Sequence, residues 1–485
     1  MDPLTNPSCD LNLFTVSYKI ILNLIPYNLA LTLSTLNKYF RRTFTSKIRK
    51  LIFGRPATVR RASLKLFKGY DKFFQSLNVR KLIVKIDINE ILAYLPVSCR
   101  KLYIAKDNKV EWSLLDKSKP YDIQVVRFTY GKVLTYDEVE NLPITLRRLS
   151  LPNFSSRISS LTRFSNLTHL SFVDRINRQV NDYPPNLTHL TFGYCFNQPI
   201  DNLPSNLTDL TFGKKFNNIF ENLPSSLRSI FFGDSLNKSI DQFKTLSNLD
   251  TLSLGHDFNQ EINHLPPLRS LVLGHNFNQT IDHLPLTFKI LVLGRRFKKG
   301  IDKLPPLTHL TFGGHFNGSI DNLPLTLTHL TFGFGFNQPV DVLIHHFNLT
   351  HLSFGKDFNY PIYPKTITHL EVGYEFKQPY ADLPPNVIHL VFKNCRLLKI
   401  RTLCEILPNL FHLGIYWYKG ILPRFPEGIT HLVLKDRGMH SYTKHSQKEV
   451  PILPTSLKYL TLDRNRELWY GNKKRLNITW THWKN

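Results

Sequence analysis

A glycine that recurs about every 20 residues constrains the fold of this chain more than any other feature. It stands three residues after an aliphatic residue in every copy. Ten glycines keep this register: Gly193, Gly213, Gly233, Gly255, Gly274, Gly294, Gly313, Gly333, Gly355 and Gly373. A period of this length is typical of a solenoid, in which each repeat forms one coil and neighbouring coils must stack to bury a shared core. We therefore expect a repeat array.

One unit, residues 187–204, indicates what a coil contains. Leu190 and Phe192 would lie on one face of an extended segment, while His189 and Thr191 would lie on the other, since side chains alternate along a strand. This pattern predicts a short parallel strand that is half buried. The glycine after it permits a sharp turn that a side chain would obstruct. About 20 residues leave no room for a full helix on the return side, so we expect irregular or 3₁₀ backbone there.

Weaker copies of the unit extend the array at both ends. The predicted divisions are a helical module at 10–50, a basic linker at 51–78, degenerate coils at 79–165, regular repeats at 166–395, degenerate coils at 396–463 and a C-terminal cap at 464–485. The predicted fold class is a mainly β repeat solenoid of short parallel strands with a small all-α N-terminal module.

An asparagine follows the aromatic residue in most units, as Asn197 follows Phe196. Its amide both donates and accepts hydrogen bonds, so a stacked row of these side chains can bond backbone groups of the adjacent coil. The alternative is an exposed row that binds a ligand. A structural bond would be needed in every coil, whereas a ligand would need only one patch.

This unit resembles the FNIP repeat, which is written here as Phe196-Asn197-Gln198-Pro199-Ile200 and Phe336-Asn337-Gln338-Pro339-Val340. The Leu-x-x-Leu-x-Phe part of the unit also resembles the leucine-rich repeat. Proteins with FNIP repeats are found in amoebae and in the giant viruses that infect them, and they often carry an N-terminal F-box. The resemblance implies protein–protein recognition.

The N-terminal segment has apolar residues at helical spacing: Leu22, Ile25, Leu29, Leu33, Leu36 and Phe40. Pro26 interrupts the run and predicts two short helices. The segment resembles a degenerate F-box, which implies that Leu22, Ile25, Leu36 and Phe40 contact a Skp1-type linker of a cullin ubiquitin ligase. The alternative is a helical cap over the first coil.

The chain carries a formal net charge of +26, which attracts anionic partners such as nucleic acid or an acidic protein. The alternative is a basic composition without functional meaning. The five cysteines lack metal-ligand spacing, which favours a reducing, intracellular compartment. We expect the cytoplasm (the host cytoplasm for a viral protein), with the nucleus as an alternative, and no membrane partner.

A histidine recurs at one strand position: His169, His189, His309, His329, His351, His369, His389, His412 and His431. If the coils are in register, the five from His309 to His389 form one continuous exposed strip. Such imidazoles can bind a metal or titrate together near neutral pH, or they can stack as a structural ladder. Our hypothesis is that this strip is part of a partner-binding face.

The outward strand positions depart from the repeat at four apolar residues: Phe231, Val272, Ile290 and Val292. Exposed apolar neighbours indicate a contact site. The coil after Val292 also replaces the Phe-Asn motif with a basic run that includes Arg295, Arg296 and Lys299. This mixed patch predicts where a target binds, and neutral variation in a tolerant repeat is the alternative.

The sequence has no zinc-protease motif, no nucleophile elbow and no phosphate-binding loop. We therefore predict that the chain is not an enzyme and needs no metal or cofactor. The predicted function is a substrate-recruiting adaptor: the F-box-like module binds the Skp1-type linker, and the solenoid holds a protein target whose identity the sequence leaves open. The alternatives are a scaffold without a ligase role and an anion- or nucleic-acid-binding solenoid, for which the chain has no motif.

Overall fold

The computed structural model describes residues 50–53, 81–84, 89–92, 95, 97–104, 110–115, 120–128, 133–154, 161–173, 175–218, 222–393, 403, 405–416, 425, 427–435, 453–462 and 479–482. The chain divides into two compact units, Met1–Leu227 and Arg228–Asn485. Short parallel strands stack in chain order within each unit, which confirms the predicted solenoid. The predicted helical module lies outside the described residues except at its last residue, Lys50, where a strand begins.

The first unit builds one parallel sheet and a small strand pair. Its strands are β1 (Lys50–Phe53), β2 (Lys81–Val84), β3 (Lys101–Ile104), β4 (Val125–Phe128), β5 (Val133–Leu134), β6 (Arg148–Leu151), β7 (Asn153–Phe154), β8 (His169–Phe172), β9 (His189–Thr191) and β10 (Asp209–Thr211). Strands β1, β2, β3, β4, β6, β8, β9 and β10 pair in this order. Strands β5 and β7 pair separately. Strand β1 falls where the sequence predicts a basic linker.

Short helices lie between some strands of the first unit: α1 (Asn89–Leu92), α2 (Tyr136–Glu140), and the 3₁₀ turns Trp112–Leu114 and Leu161–Arg163. The helix α2 begins with a capping box. The Thr135 hydroxyl accepts a bond from the Glu138 backbone N–H at 3.3 Å, and the Glu138 carboxylate accepts one from the Thr135 N–H at 2.9 Å. These bonds satisfy two backbone N–H donors at the start of the helix, where no preceding turn supplies an acceptor.

The second unit is a longer stack of parallel strands. They are β11 (Ser229–Phe231), β12 (Thr251–Ser253), β13 (Ser270–Val272), β14 (Ile290–Val292), β15 (His309–Thr311), β16 (His329–Thr331), β17 (His351–Ser353), β18 (His369–Val372), β19 (His389–Phe392), β20 (His412–Tyr416), β21 (His431–Lys435), β22 (Tyr459–Leu462) and β23 (Thr479–His482). Each strand pairs with the next one along the chain.

The core of the second unit is made of leucine and phenylalanine ladders. Leu310 pairs with Leu330, and both are buried. Phe312 stacks on Phe332 of the next coil at a centroid distance of 5.3 Å, and Phe316 stacks on its equivalent in the same way. Each buried side chain of this size contributes about 1.5–3 kcal/mol, but only because the neighbouring coil covers it.

The repeat glycine is required by the close approach of adjacent coils. A Cβ on Gly333 would lie 2.0 Å from the carbonyl oxygen of Gly313, and one on Gly274 would lie 1.7 Å from that of Gly255. Among the described residues, Gly428 is the only glycine with a positive φ. The predicted obstruction is therefore confirmed, but its cause is contact between coils and not a left-handed turn.

The repeat asparagine forms a hydrogen-bonded ladder between coils. Its Oδ1 accepts the backbone N–H at the equivalent position of the next coil, at distances of 2.8–3.0 Å. The donors are Asn197, Asn217, Asn259, Asn278, Lys298, Asn337, Asn359 and Lys377. This confirms the structural explanation of the asparagine, since each bond satisfies a backbone donor at the turn.

In the described part of the second unit, the return side is irregular apart from three short 3₁₀ helices. The coils that end at Leu252 and Leu352 are two residues longer than most, and they contain the 3₁₀ helices Asp241–Thr245 and Asp341–His345. A third 3₁₀ helix spans Tyr380–Asp382. The extra residues fit because 3₁₀ backbone shortens the path, as expected for coils with no room for a full helix.

Candidate functional site

The outward face of the second unit carries two side-chain positions per strand, one before and one after the buried leucine. We call the seven registered histidines at the first position the histidine ladder: His309, His329, His351, His369, His389, His412 and His431. All of them are half-buried. The strip predicted from His309 to His389 is therefore continuous, and its role in binding stays a prediction.

The rings at the start of the ladder stack face to face. Centroids lie 4.1 Å apart for His309 and His329, and 4.0 Å apart both for His329 and His351 and for His351 and His369, with interplanar angles of 16° or less. The next step, from His369 to His389, is tilted by 60° at 5.2 Å. Four coils thus present one rigid column of parallel imidazoles.

A threonine beside each of these histidines fixes its tautomer. The Oγ1 of Thr328 lies 2.9 Å from Nδ1 of His329 and donates to the carbonyl of Thr308 at 3.0 Å. A hydroxyl has a single proton, so the oxygen that donates to the carbonyl must accept from Nδ1–H. We assign the neutral rings as Nδ1-protonated on this network. The lone pair then lies on Nε2, at the other side of the ring.

Burial and mutual repulsion lower the pKa values of the inner histidines of the ladder. Burial, followed by the neighbouring imidazoles, lowers the pKa of His351 to about 4. The same causes lower the pKa of His412 to about 4, and burial lowers the pKa of His369. Rings 4 Å apart cannot all carry a charge at small cost. His351 and His412 are thus uncharged at neutral pH.

The stacked geometry does not suit a metal ion. The lone pairs of imidazole lie in the ring plane, so parallel rings direct them side by side and not toward one point. No group of three or more His, Cys, Asp or Glu side chains in the described part of the chain could hold a metal ion. The arrangement favours the stacked ladder among the alternatives that the sequence left open.

The first unit has a shorter version of this ladder. His169 and His189 stack at 4.0 Å, and Asp209 occupies the next strand, where its carboxylate lies 3.3 Å from Nε2 of His189. Burial, then repulsion from His189 and Arg148, lowers the pKa of His169 to about 4. An aspartate therefore takes the histidine position at the end of this shorter ladder, with its carboxylate close to a ring nitrogen of His189.

Three of the predicted apolar residues share one row of the second unit. Phe231 pairs with Ser253, Ser253 with Val272, and Val272 with Val292. Phe231 is 39% exposed, and the two valines are half-buried. Ile290 lies in the other row, where it pairs with His309 and precedes the histidine ladder.

The predicted basic residues lie on the turn after β14. Arg295 and Arg296 are exposed, and their backbone groups bond the turns of the adjacent coils. Lys299 is also exposed but lies farther round the coil, beyond the buried Phe297. The structure thus places the arginines next to the apolar row along the chain and separates Lys299 from it.

Comparison with known proteins agrees with the repeat. The family model described as FNIP Repeat matches residues 179–215 and 196–235. Residues 179–235 carry FNIP repeats. The chain is also similar to CroV588, whose crystal structure is described as a novel circular LRR protein structure: identity is 29%, the TM-score is 0.64, and the match covers 90% of this chain and 69% of that one.

A second solved structure, YopM from Yersinia enterocolitica WA-314, shares 17% identity over 80% of this chain and 86% of that one, and its TM-score of 0.37 is too low to support an argument. No curated protein matches the sequence. No helix in the described residues is long and apolar enough to cross a membrane. The similarity to an FNIP and leucine-rich-repeat-like solenoid is therefore what the comparisons establish.

Two surface features of the second unit are not among the predicted site residues. The residue after each repeat glycine forms a turn row, in which His256 stacks on His275 at 4.4 Å and Phe334 is 61% exposed. Leu286 and Leu325, at 77% and 60% exposure, protrude before their strands. Leu286 and Leu325 stand at the same sequence position relative to their strand leucines, Leu291 and Leu330, and this shared position could have indicated an exposed apolar row. It was missed because that position varies freely between coils.

The predicted F-box residues Leu22, Ile25, Leu36 and Phe40 lie outside the described residues. The structure therefore brings together the histidine strip and the apolar row of the second unit, and the F-box resemblance remains a statement about sequence.

Proposed function

We propose that this protein is an interaction scaffold whose second unit binds a protein target with its outward strand face. One observation carries the proposal: Phe231, Val272 and Val292 interrupt a row that is otherwise mostly serine and threonine as far as β17. Exposed apolar side chains grouped on one face are typical of a protein interaction site. The similarity to leucine-rich-repeat-like solenoids supports this class of function.

The neighbouring groups define the target's chemistry. Arg295, Arg296 and Lys299 would select an acidic segment at the rim of the apolar row. The histidine ladder would extend the surface with neutral rings whose Nε2 atoms accept hydrogen bonds from the target. The chain would act by holding its target, without catalysis of its own.

The finer proposal is a ubiquitin-ligase adaptor in the cytoplasm. Its support is the resemblance of the segment around Leu22, Ile25, Leu36 and Phe40 to an F-box. That segment would bind a Skp1-type linker, and the target on the solenoid would then be ubiquitinated by the partners. A scaffold without this link is the alternative.

Affinity capture with the full chain tests the target face. The triple change Phe231→Ser, Val272→Ser and Val292→Ser should lower capture of the specific partner about tenfold or more, because it removes the apolar centre. The matched control, Thr311→Ala with Thr331→Ala and Ser353→Ala, changes the same row in later coils and should leave capture intact. Equal capture by both variants would refute the apolar centre.

Two further sets of changes test the basic rim and the histidine ladder. Charge reversal at Arg295, Arg296 and Lys299 should abolish binding of an acidic target, and unchanged affinity would exclude this role. Alanine at His329, His351 and His369 should weaken capture, and intact capture would remove the ladder from the binding face.

Deletion of residues 11–44 tests the adaptor proposal separately. The full chain should capture a purified Skp1-type linker, and the deleted chain should lose the linker while it keeps the target. Absence of linker capture by the full chain would leave the scaffold and end the ligase proposal.

A further inference from the structure

The turn row of the second unit brings a cation and an aromatic ring to opposite sides of one glycine. A Cβ on Gly314 would lie 3.1 Å from Cγ and 3.5 Å from Nε of Arg295, and 3.5 Å from Cδ2 of Phe334. Gly314 is buried beneath these two side chains, whereas Arg295 and Phe334 are themselves exposed. A guanidinium group and a phenyl ring therefore border the same place above a residue without a side chain.

The row on either side of Gly314 consists mainly of planar groups. His256 and His275 stack at 4.4 Å, Arg295 follows in the next coil, and Phe334 follows Gly314. Adjacent coils are about 4.8 Å apart, so a planar group above Gly314 would take the position that a side chain takes in the other coils. Arginine and phenylalanine both stack on flat π systems.

The charge around Gly314 is positive and is bounded on both sides by acids. The turn segments 274–279, 294–299, 313–318 and 333–338 contain no aspartate or glutamate. The segment 294–299 supplies four cations, Arg295, Arg296, Lys298 and Lys299, which are all exposed. The preceding turn carries Asp257 and the following turn carries Asp357. This distribution favours an anionic ligand at the four acid-free turns over the turns that carry Asp257 and Asp357.

We propose that this turn surface binds single-stranded nucleic acid, with one unpaired base stacked between Phe334 and Arg295 above Gly314. The phosphates on either side of that base would bind Arg296, Lys298 and Lys299. A nucleic acid suits the site because each of its residues joins a planar group to an anion, which is the combination that the turn surface presents. The inference does not rest on the proposed protein target. Both proposals use Arg295, Arg296 and Lys299, but only the nucleic acid uses Gly314 and Phe334, and only the protein target uses the apolar row.

Substitutions at this site can remove the stacking of a base without changing the positive charge. The three atoms nearest to a Cβ on Gly314 belong to the side chains of Arg295 and Phe334, and the closest lies at 3.1 Å. Because both side chains are exposed and can shift, Gly314→Ala and Gly314→Leu should fold. Both changes fill the stacking position and keep every cation. Phe334→Ala removes one wall. Phe347→Ala is its control because Phe347 is an exposed phenylalanine of the same unit, at 77% against 61% for Phe334, away from this turn.

The experiment measures binding of short fluorescein-labelled oligoadenylates, as RNA and as DNA, to the full-length chain by fluorescence anisotropy. Gly314→Leu and Phe334→Ala should each weaken binding about tenfold, Gly314→Ala should weaken it less, and Phe347→Ala should have no effect. Arg296→Gln with Lys299→Gln should reduce the salt dependence of binding, while Phe334→Ala should leave that dependence unchanged. Thermal unfolding checks that each variant folds.

A second measurement reports on stacking itself. An oligonucleotide that contains a fluorescent adenine analogue should be quenched on binding to the wild-type chain and not on binding to Gly314→Leu. An abasic oligomer, which keeps the phosphates and lacks the planar groups, should bind about tenfold more weakly. Equal affinity for the abasic oligomer, or binding only to an acidic peptide with a tryptophan, would overturn the proposal.

Discussion

Two regions of the second unit share one core and differ on their outward face. In the strands β15 to β18 the face is a column of histidines, whereas in β11 to β14 it is a mixture of small polar and apolar side chains. The buried phenylalanines continue through both regions, and Phe277, Phe297 and Phe316 stack at 6.2–6.3 Å without interruption. The fold therefore constrains the inward positions and leaves the outward ones free to specify a partner.

The junction between the regions shows how little the backbone responds to this change. Ile290 pairs with His309, and Val292 pairs with Thr311, in the same parallel register as every other pair. The turn after β14 has also lost its asparagine, since Lys298 stands in that place. A difference confined to surface chemistry should leave stability nearly equal in the two regions, and the following predictions examine this.

The largest effect should come from the repeat glycines, and it should be the same in both regions. Gly274→Ala and Gly333→Ala each place a Cβ within 2.0 Å of a carbonyl oxygen, which only backbone movement can relieve. We expect each change to lower the free energy of unfolding by about 4 kcal/mol or more in urea titrations followed by circular dichroism.

The control is Gly300→Ala, whose Cβ would meet only the Asp302 carboxylate among its near neighbours, at 3.2 Å for the closer oxygen. It should change stability by less than about 1 kcal/mol. If Gly274→Ala lowered the free energy of unfolding and Gly333→Ala did not, the coils would be less closely packed in the histidine region.

The next largest effect should be a loss of stability in acid that belongs to the histidine region. The pKa of His351 is about 4 in the folded chain and 6.5 as a reference value, so the unfolded chain binds more protons between these limits. The contribution of the neutral ring to the free energy of unfolding is therefore fully present above about pH 6.5 and is lost as the pH drops toward about 4. The melting temperature should decrease over this window.

The variant His329→Thr with His351→Thr and His369→Thr places in the ladder the residue that occurs at Thr251 in the other region. It should show a smaller decrease in melting temperature over the same pH window, because three rings with lowered pKa values are gone. Equal pH dependence in wild type and variant would contradict the assignment of this effect to the ladder.

The smallest effects should come from the asparagine ladder, with opposite signs in the two regions. Asn337→Ala removes the oxygen that accepts the Asn359 N–H at 3.0 Å, and it should cost about 1 kcal/mol. Lys298→Asn should gain up to about 1 kcal/mol, because lysine has no acceptor for the Asn317 N–H of the next coil and asparagine has one. A destabilising Lys298→Asn would show that the lysine has a structural role of its own.

Most of the fold could be read from the repeat, because register and burial follow from positions that recur. Leu190 with Phe192, the glycine and the asparagine each have one place in a coil, and stacking identical coils leaves one arrangement. The longer coils with Asp241–Thr245 and Asp341–His345 follow from two extra residues. The candidate site could be predicted only as rows, since alternation along a strand assigns a face but not a ring angle or a tautomer.

The sequence by itself determined the solenoid, its inward residues and the rows on its face, because a period of about 20 residues permits few ways to bury leucine and phenylalanine. Tertiary structure decided the rest. Only the stacked coils show that His329 and His351 are held 4.0 Å apart with the pKa of His351 lowered, that the repeat glycine lies against the carbonyl of the previous coil, and that Arg295 and Phe334 flank Gly314. These properties depend on distances between residues about 20 or 40 positions apart, and packing sets those distances.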